Sequence, residues 1–288
     1  MRIGINTTMP LKRYGSAEPR TIKELAKLLS EAGFKYVDYT SDLIAENWQD
    51  KAKADKDAFA EFGITVNQTH AYYNRYGRYD ELDFAELTRR AFVVTDILGA
   101  KFCVDHADEY RVTDRYDAKE ILESEYQRLL PHAEFCAKHG ITLALENLFE
   151  DGAKIRGIVD GKSRHMARIE EVVGLIDRFN SENVKCCWDF GHAHVAFGKD
   201  QLEMMKIAGS RIVCTHVHDN YYGKDLHLIP FQGQVDWDGH MKALKSFGYQ
   251  GVLSFEFAYG CYPDDVLPVV LKTIYSVGSK LSDMFENA

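Results

Sequence analysis

Eight short apolar segments recur along the chain, and stretches with helical periodicity separate them. The segments lie near residues 2–7, 35–40, 64–70, 101–106, 142–148, 184–190, 211–218 and 251–257. Between them, residues 21–33, 81–100, 118–140 and 168–179 place apolar side chains at i, i+3, i+4 and i+7, as an amphipathic helix does. Glycines just before the next strand predict left-handed helix ends, at Gly33, Gly63, Gly99, Gly140 and Gly248.

The number of repeats decides the fold class. Eight strand–helix units in 288 residues predict an α/β chain folded as one (β/α)8 TIM barrel, since such barrels have about 250 residues. The alternative is an open, doubly wound sheet. No GxGxxG segment follows the first strand, which disfavours that alternative. No Pro-rich or Gly/Ser-rich linker divides the chain, so residues 1–288 are expected to form a single domain.

Side chains that can bind a metal stand at the ends of six successive predicted strands. In a parallel barrel the strand ends surround the active site, and here they carry His70, His106, Glu146, Asp189, His216 and Glu256. Carboxylate oxygen and imidazole nitrogen together suit a divalent cation. Each residue alone could be a solvated loop residue. Glu146 and Glu256 lie inside apolar segments, however, where an ionised carboxylate is costly without a cation or hydrogen bonds.

Other polar residues are harder to assign. The loop after the seventh strand adds Asp225 and His227, which are either further ligands or incidental residues of a surface turn around Pro230 and Gly233. Four more histidines stand in helical or linker positions and are interpreted as surface residues: His132, His139, His165 and His240.

Charge and composition limit the partners. The chain has 35 basic and 44 acidic residues, a net charge of −9, and no basic cluster. An acidic body repels polyphosphate, so no nucleic-acid partner is expected. No run of eighteen apolar residues and no signal-peptide core are present, so we expect no membrane association and, by default, a cytoplasmic location. The six cysteines form no CxxC pair, as expected for buried thiols in a reducing compartment.

With its residues in this order, the chain resembles the xylose isomerase-like barrel superfamily of sugar isomerases and epimerases. The resemblance spans nearly the whole chain. It is carried by LEN at 145–147, WDFGH at 188–192, HVHD at 216–219, DLHLIPFQGQVDW at 225–237 and SFEF at 254–257. The resemblance to ketose 3-epimerases implies a divalent metal held by Glu146, Asp189, His216 and Glu256. His218 is the fallback for His216.

The resemblance also implies the residues around that metal. We expect substrate to be bound by His192, and also by His218, His70 and His106. An apurinic endonuclease branch of the superfamily binds further zinc ions through histidines on strands three and four and an Asp-x-His pair. His70 and His106 match those histidines, and Asp225 and His227 match the pair, so a second metal site at Asp225 and His227 stays open. The corresponding alternative activity is that of a zinc hydrolase acting on abasic DNA.

The implied activity is that of an isomerase or epimerase acting on a ketose or related polyhydroxy carbonyl compound. The metal is expected to be Mn²⁺, Mg²⁺ or Co²⁺, with Zn²⁺ as a further candidate. Glu146 and Glu256 are expected to remove and return a proton alpha to the carbonyl, through an enediolate. The alternatives are an inosose dehydratase-type hydro-lyase and a non-catalytic sugar-binding barrel.

Contacts beyond the metal are less defined in the sequence. Aromatic residues form either an apolar wall against sugar carbons or ordinary packing, namely Trp188, Tyr72, Tyr73 and Tyr76. Three loops are expected to select the substrate, at residues 72–79, 109–116 and 149–164, and none contains a readable motif. Superfamily members are often dimers or tetramers, so a homodimer or homotetramer is a candidate assembly.

Overall fold

Eight parallel strands pair in the order of the sequence and close into a barrel. The computed structural model describes residues 1–7, 15, 18–72, 81–107, 117–149, 165–221, 223–257 and 261–288. The strands are β1 (Arg2–Asn6), β2 (Tyr36–Asp38), β3 (Thr65–His70), β4 (Phe102–Asp105), β5 (Thr142–Glu146), β6 (Val184–Asp189), β7 (Ile212–Val217) and β8 (Val252–Phe255). Arg2 pairs with Val252 and Ile5 with Phe255, so β8 returns to β1. The predicted closed barrel is confirmed, and the open sheet is wrong.

Helices connect the strands on the outside of the barrel. They are α1 (Ile22–Ala32), α2 (Trp48–Glu61), α3 (Glu81–Leu98), α4 (Ala118–His139), α5 (Ile169–Phe179), α6 (Phe190–Phe197), α7 (Gln201–Ala208), α8 (Trp237–Ser246) and α9 (Leu267–Glu286). Both α6 and α7 lie between β6 and β7. Within the described ranges, none of these helices combines the length and the apolar composition that crossing a bilayer needs.

Local sequence sets the helix ends. Thr21 begins α1 with a capping box, in which its hydroxyl accepts from the Glu24 amide at 3.2 Å and the Glu24 carboxylate accepts from the Thr21 amide at 2.8 Å. Gly33 and Gly140 end α1 and α4 in the left-handed conformation. All five glycines predicted at such ends have positive φ, which confirms the predicted left-handed helix ends.

The barrel interior is filled just below its mouth. Val104, Ala144, Cys187 and Cys214 form a small buried cluster. The last three stand two residues before Glu146, Asp189 and His216, and alternate residues of a strand share a face. The inward face therefore carries small side chains first and ionisable ones at the carboxyl end. This layering directs the polar side chains into the mouth.

Two histidines predicted at the surface are buried. His240 is 1% exposed, because α8 turns it toward the core, where its ring lies 5.5 Å from that of Phe190. His165 is fully buried, with Nδ1 3.8 Å from the Glu171 carboxylate. Burial lowers the pKa of both rings. The surface interpretation was wrong for these two residues.

Candidate active site

Four side chains meet at the mouth of the barrel. Glu146 and Asp189 end β5 and β6, His216 is the next-to-last residue of β7, and Glu256 follows β8. One ligand atom from each lies within 4.8 Å of the others. His216 Nδ1 is 3.1 Å from Glu146 Oε1, 3.4 Å from Glu256 Oε2 and 3.7 Å from Asp189 Oδ2. The structure brings the four predicted ligands together, while His218 lies outside this group; their role as ligands stays a prediction.

The chemistry of this cluster fits a divalent cation. Glu256 Oε2 is buried and makes no hydrogen bond in the part of the chain that the structure describes. Within the same residues, every ion pair to Glu146, Asp189 or Glu256 comes from a histidine, and none from Lys or Arg. Burying a carboxylate without a Lys or Arg partner costs free energy. Metal–ligand distances of about 2.0–2.2 Å put opposite ligands about 4 Å apart, which this cluster allows.

Histidines balance part of the carboxylate charge. Burial is the largest influence and raises the pKa of Glu146, but the charge of His216 and hydrogen bonds from His192, His216 and His70 hold that pKa well below its usual range. Burial likewise opposes charge on the histidines. The hydrogen bond to Glu146 nevertheless raises the pKa of His70 to about 9, and Asp189 with Glu146 raises that of His192 to about 10. A cation would compete with these protons for the same oxygens.

His70 and His106 extend the site along β3 and β4. His70 Nε2 lies 2.9 Å from Glu146 Oε2, and its ring packs edge-on against that of His106 at 5.4 Å. Arg128 of α4 supports His106 by donating to its backbone oxygen at 3.1 Å, and it also pairs with Asp105. Both predicted histidines therefore lie at this rim, where His70 contacts Glu146 and His106 packs against His70.

His192 enters the site from the first turn of α6. Asp189 caps this helix, because its Oδ1 accepts from the His192 amide at 2.6 Å. The side chain of Asn147 clamps β5 to β6, since it donates to the Asp189 backbone oxygen at 3.0 Å and accepts from the Asp189 amide at 2.8 Å. His192 Nδ1 consequently stands 3.1 Å from Glu146 Oε1. The LEN segment thus supplies one predicted ligand and the residue that holds the next.

A second group of metal-competent side chains contains His218, Asp225 and His227. His227 stacks on His218 with ring centroids 4.0 Å apart, and its Nε2 is 3.3 Å from Asp225 Oδ2. His218 Nε2 lies 3.0 Å from Asp189 Oδ1, which links this group to the first. His218 Nδ1 is buried without a hydrogen bond among the described residues. Asp225 and His227 therefore lie at the rim, and their role in a second metal site stays a prediction.

The loop between β7 and α8 carries that group in a strained conformation. His227 and Phe231 both have positive φ, 49° and 77°, which non-glycine residues rarely adopt. The buried Asp219 carboxylate holds the loop by accepting from the amides of Phe231 and Val235 and from Trp237 Nε1, at 2.9–3.0 Å. These hydrogen bonds thus fix the loop to Asp219.

Sequence reasoning missed Asp38, the last residue of β2. Its Oδ2 lies 3.0 Å from His216 Nε2 and 3.1 Å from Gln68 Nε2. A signal for it existed, because the residue at the end of each predicted strand was the guide to the site and Asp38 lies in the second apolar segment. Asp219 was recognised only as part of a motif, without a role.

The predicted substrate contacts are only partly described. Trp188 is fully buried in the core, which corrects its possible role as a wall against sugar carbons. Tyr72 is half-buried, while Tyr73 and Tyr76 lie outside the described residues. Of the three loops expected to select the substrate, Tyr72 and Phe149 belong to the described part of the chain. Phe149 packs against His192 with ring centroids 4.9 Å apart.

Fold and rim define a (β/α)8 barrel whose site is built from acidic and histidine side chains at the carboxyl ends of its strands. Residues 26–271 match the model of the xylose isomerase-like TIM barrel family. The chain belongs to that family.

Relatives and solved structures agree with this assignment. Protein y4fM of Sinorhizobium fredii, described as uncharacterized, is 26% identical over 264 residues, which cover 82% of this chain and 80% of that protein. The inosose isomerase of Bacillus velezensis is 23% identical over 285 residues, covering 91% and 94%. A D-tagatose 3-epimerase-like protein superimposes with a TM-score of 0.74 at 19% identity, covering 100% and 99%. The IOLI protein, with a bound zinc atom, gives 0.71 at 18% identity, covering 100% and 99%. These structures share the fold.

Proposed function

We propose that the protein is a metal-dependent isomerase or epimerase of a ketose or a related polyhydroxy carbonyl compound. The observation that carries the proposal is the pairing of Glu146 and Glu256 with Asp189 and His216, all with ligand atoms within 4.8 Å of one another. Glu146 and Glu256 come from β5 and β8, which β6 and β7 separate in the barrel, so the two carboxylates can approach a small substrate from different directions. The family match and the names of the inosose isomerase and the 3-epimerase-like neighbour support the same substrate class.

The metal would be held by Glu146, Asp189, His216 and Glu256. Three carboxylates and one imidazole suit Mn²⁺ or Co²⁺ and are compatible with Mg²⁺, and the zinc of the IOLI neighbour supports Zn²⁺ as a candidate. When bound, such a cation polarises the substrate carbonyl and makes the neighbouring C–H bond more acidic.

Glu146 and Glu256 then divide the proton transfer between them. One takes the proton alpha to the carbonyl and the other delivers a proton to the resulting enediolate, on the opposite face or at the neighbouring carbon. Glu146 is 2% exposed and is oriented by His70 at Oε2 and His216 at Oε1. Glu256 is more accessible, with a side chain that is 20% exposed. The histidines expected to bind the substrate oxygens are His192, His218, His70 and His106.

A second candidate function is zinc-dependent hydrolysis of abasic DNA. The observation that favours it is the sharing of ligands between clusters, because Asp189 also belongs to a group with His192 and His218, and His218 to one with Asp225 and His227. More than one ion could then bind along the rim, with Asp225 and His227 at a second site. The net charge of −9 speaks against binding a polyanion.

Proton exchange tests the first candidate directly. The metal-loaded protein is incubated with a panel of ketoses and inososes in D₂O, and loss of the alpha hydrogen is followed by NMR. Glu146→Gln and Glu256→Gln should each reduce exchange by about 10²–10⁴-fold, the usual contribution of a general acid or base. Glu203→Gln is the matched control, since Glu203 is exposed and pairs with Lys206 at the surface. Undiminished exchange in both site variants would refute the glutamate pair.

The same samples separate the alternatives. Product analysis distinguishes epimerised or isomerised sugar from the dehydrated product of a hydro-lyase. Elemental analysis that finds about three zinc ions per chain, together with cleavage of an abasic duplex, would favour the hydrolase. Substrate binding without exchange or cleavage would instead indicate a non-catalytic sugar-binding barrel.

A further inference from the structure

His216 lies between the candidate metal cluster and the carboxylate of Asp38. Its Nδ1 faces the candidate metal cluster, at 3.1 Å from Glu146 Oε1 and 3.4 Å from Glu256 Oε2. Its Nε2 faces away from that cluster and lies 3.0 Å from Asp38 Oδ2. Both His216 and Asp38 are buried, with exposed fractions of 0% and 1%. The imidazole therefore has one nitrogen for the cluster and one for Asp38.

The two nitrogens cannot play the same part. A neutral imidazole carries one proton, so the nitrogen that binds a metal must be the one without it. Because Nδ1 is the nitrogen within reach of the other three ligands, Nε2 has to carry the proton. A proton on Nε2 can be donated to Asp38 Oδ2, which accepts it at hydrogen-bond distance. A carboxylate in this place stabilises that tautomer over the other.

Gln68 fixes the Asp38 carboxylate. Its side-chain nitrogen donates to the same Oδ2 at 3.1 Å, from β3, the strand next to β2. Asp38 Oδ1 is buried and makes no hydrogen bond within the described ranges. Both interactions of Asp38 thus converge on the oxygen that faces His216. A carboxylate kept only for stability would be expected to use both oxygens.

We propose that Asp38 is a positioning residue that holds His216 in its Nε2-protonated tautomer, so that Nδ1 is directed at the metal. This inference rests on the proposed function, because it assumes that the four-residue cluster binds a cation. Asp38 itself is not a ligand, since the imidazole of His216 separates it from the cluster. It acts on the metal through His216.

Zinc affinity and imidazole NMR test this role without measuring activity. Zinc binding to wild type, Asp38→Ala and Asp38→Asn is measured by chelator competition. Removing such an outer partner typically weakens binding about 10–100-fold, which is the loss expected for Asp38→Ala. A smaller loss is expected for Asp38→Asn, whose amide oxygen still accepts from Nε2. In zinc-loaded wild type, ¹⁵N spectra should identify His216 as protonated at Nε2 and metal-bound at Nδ1, with the signal assigned by its loss in His216→Gln.

Asp55→Asn is the matched control. Asp55 is a buried carboxylate that accepts from Tyr39 and Ser41, and Tyr39 follows Asp38 in the chain. The substitution disturbs the same segment but leaves the carboxylate beside His216, so zinc affinity should not change. If Asp38→Ala does not fold, the isosteric Asp38→Asn carries the test.

The outcomes separate this inference from the proposed function. Wild-type affinity in the Asp38 variants, or His216 bound to zinc through Nε2, would overturn the role of Asp38 and leave the metal centre in place. An equal loss of affinity in Asp55→Asn would also overturn it, because the effect would then be structural. Failure of the wild type to bind any divalent metal would overturn both proposals.

Discussion

Two carboxylates at the mouth of the barrel, Asp219 and Glu256, differ in the hydrogen bonds that their buried oxygen atoms make. Asp219, just after β7, accepts from the amides of Asn220 and Val235 at Oδ1, and from the Phe231 amide and Trp237 Nε1 at Oδ2. Glu256, just after β8, has a buried Oε2 that makes no hydrogen bond among the described residues. The two residues follow neighbouring strands, and Asp219 is the more deeply buried of the two.

The contrast separates Asp219, a framework carboxylate that holds a loop, from Glu256, which we propose to be reactive. Four N–H donors stabilise the charge of Asp219, and in return they fix the loop that carries Asp225 and His227. Glu256 keeps an oxygen whose charge faces His216 at 3.4 Å and the other proposed ligands. A saturated carboxylate has nothing left to offer a cation or substrate. An unsaturated one does.

Asp219→Ala should have the largest effect on stability. The substitution leaves four N–H donors without their acceptor, and each unsatisfied buried donor costs about 1–3 kcal/mol. We expect a loss of about 4 kcal/mol or more in the free energy of unfolding, measured by urea denaturation. A loss below about 1 kcal/mol would contradict the framework role of this carboxylate.

Glu256→Gln should change stability mainly through the metal. In metal-free protein the variant loses no hydrogen bond of Oε2, only the attraction of its charge to His216 at 3.4 Å, so its free energy of unfolding should change less than that of Asp219→Ala. Wild type with a divalent metal at about 100 times its Kd should gain about 2.7 kcal/mol. The variant should lose most of that gain, measured as the shift in Tm on metal addition. Equal shifts in both proteins would remove Glu256 from the ligand set.

The sequence predicted the positions of the candidate ligands but not the role of Asp219. Strand ends are local features, so the positions of Glu146, Asp189 and Glu256 on one rim followed once eight repeats indicated a barrel. The role of Asp219 could not be predicted in this way. Two of its donors, Val235 and Trp237, lie 16 and 18 residues away. Such pairings depend on the path of a loop, which no periodicity encodes.

Burial of polar helix residues was equally out of reach. Histidine is intermediate in its tendency to be buried, so composition alone does not decide its exposure, and His240 is buried because α8 packs it against Phe190 of α6. Asp38 could have been identified as a site residue because it is the last residue of a strand. Its contact with His216, 178 residues away, could be found only in the closed barrel.

Gly233→Ala should displace the loop that Asp219 holds, because there is no room for the added methyl group. A Cβ at this position would lie 2.3 Å from Asp219 Oδ1 and 2.6 Å from the Asn220 backbone oxygen. The loop would have to move away from Asp219, at a cost of about 1–3 kcal/mol. Urea denaturation measures the loss, and crystallography of the variant would report displacement of the loop. Wild-type stability would mean that the loop tolerates a looser contact with Asp219.

Gly174→Ala should have the smallest effect on the free energy of unfolding, and the effect should be stabilising. It is the control for the steric effect expected at Gly233. Gly174 lies inside α5, where an added Cβ would meet Leu122 Cδ1 at an ordinary 3.5 Å. Alanine restricts the unfolded chain more than glycine does, so the variant should gain about 0.4–1 kcal/mol in the same urea experiment. The two alanine substitutions add the same methyl group, and only the space around it differs. If Gly174→Ala were as destabilising as Gly233→Ala, the loss at Gly233 could not be attributed to Asp219.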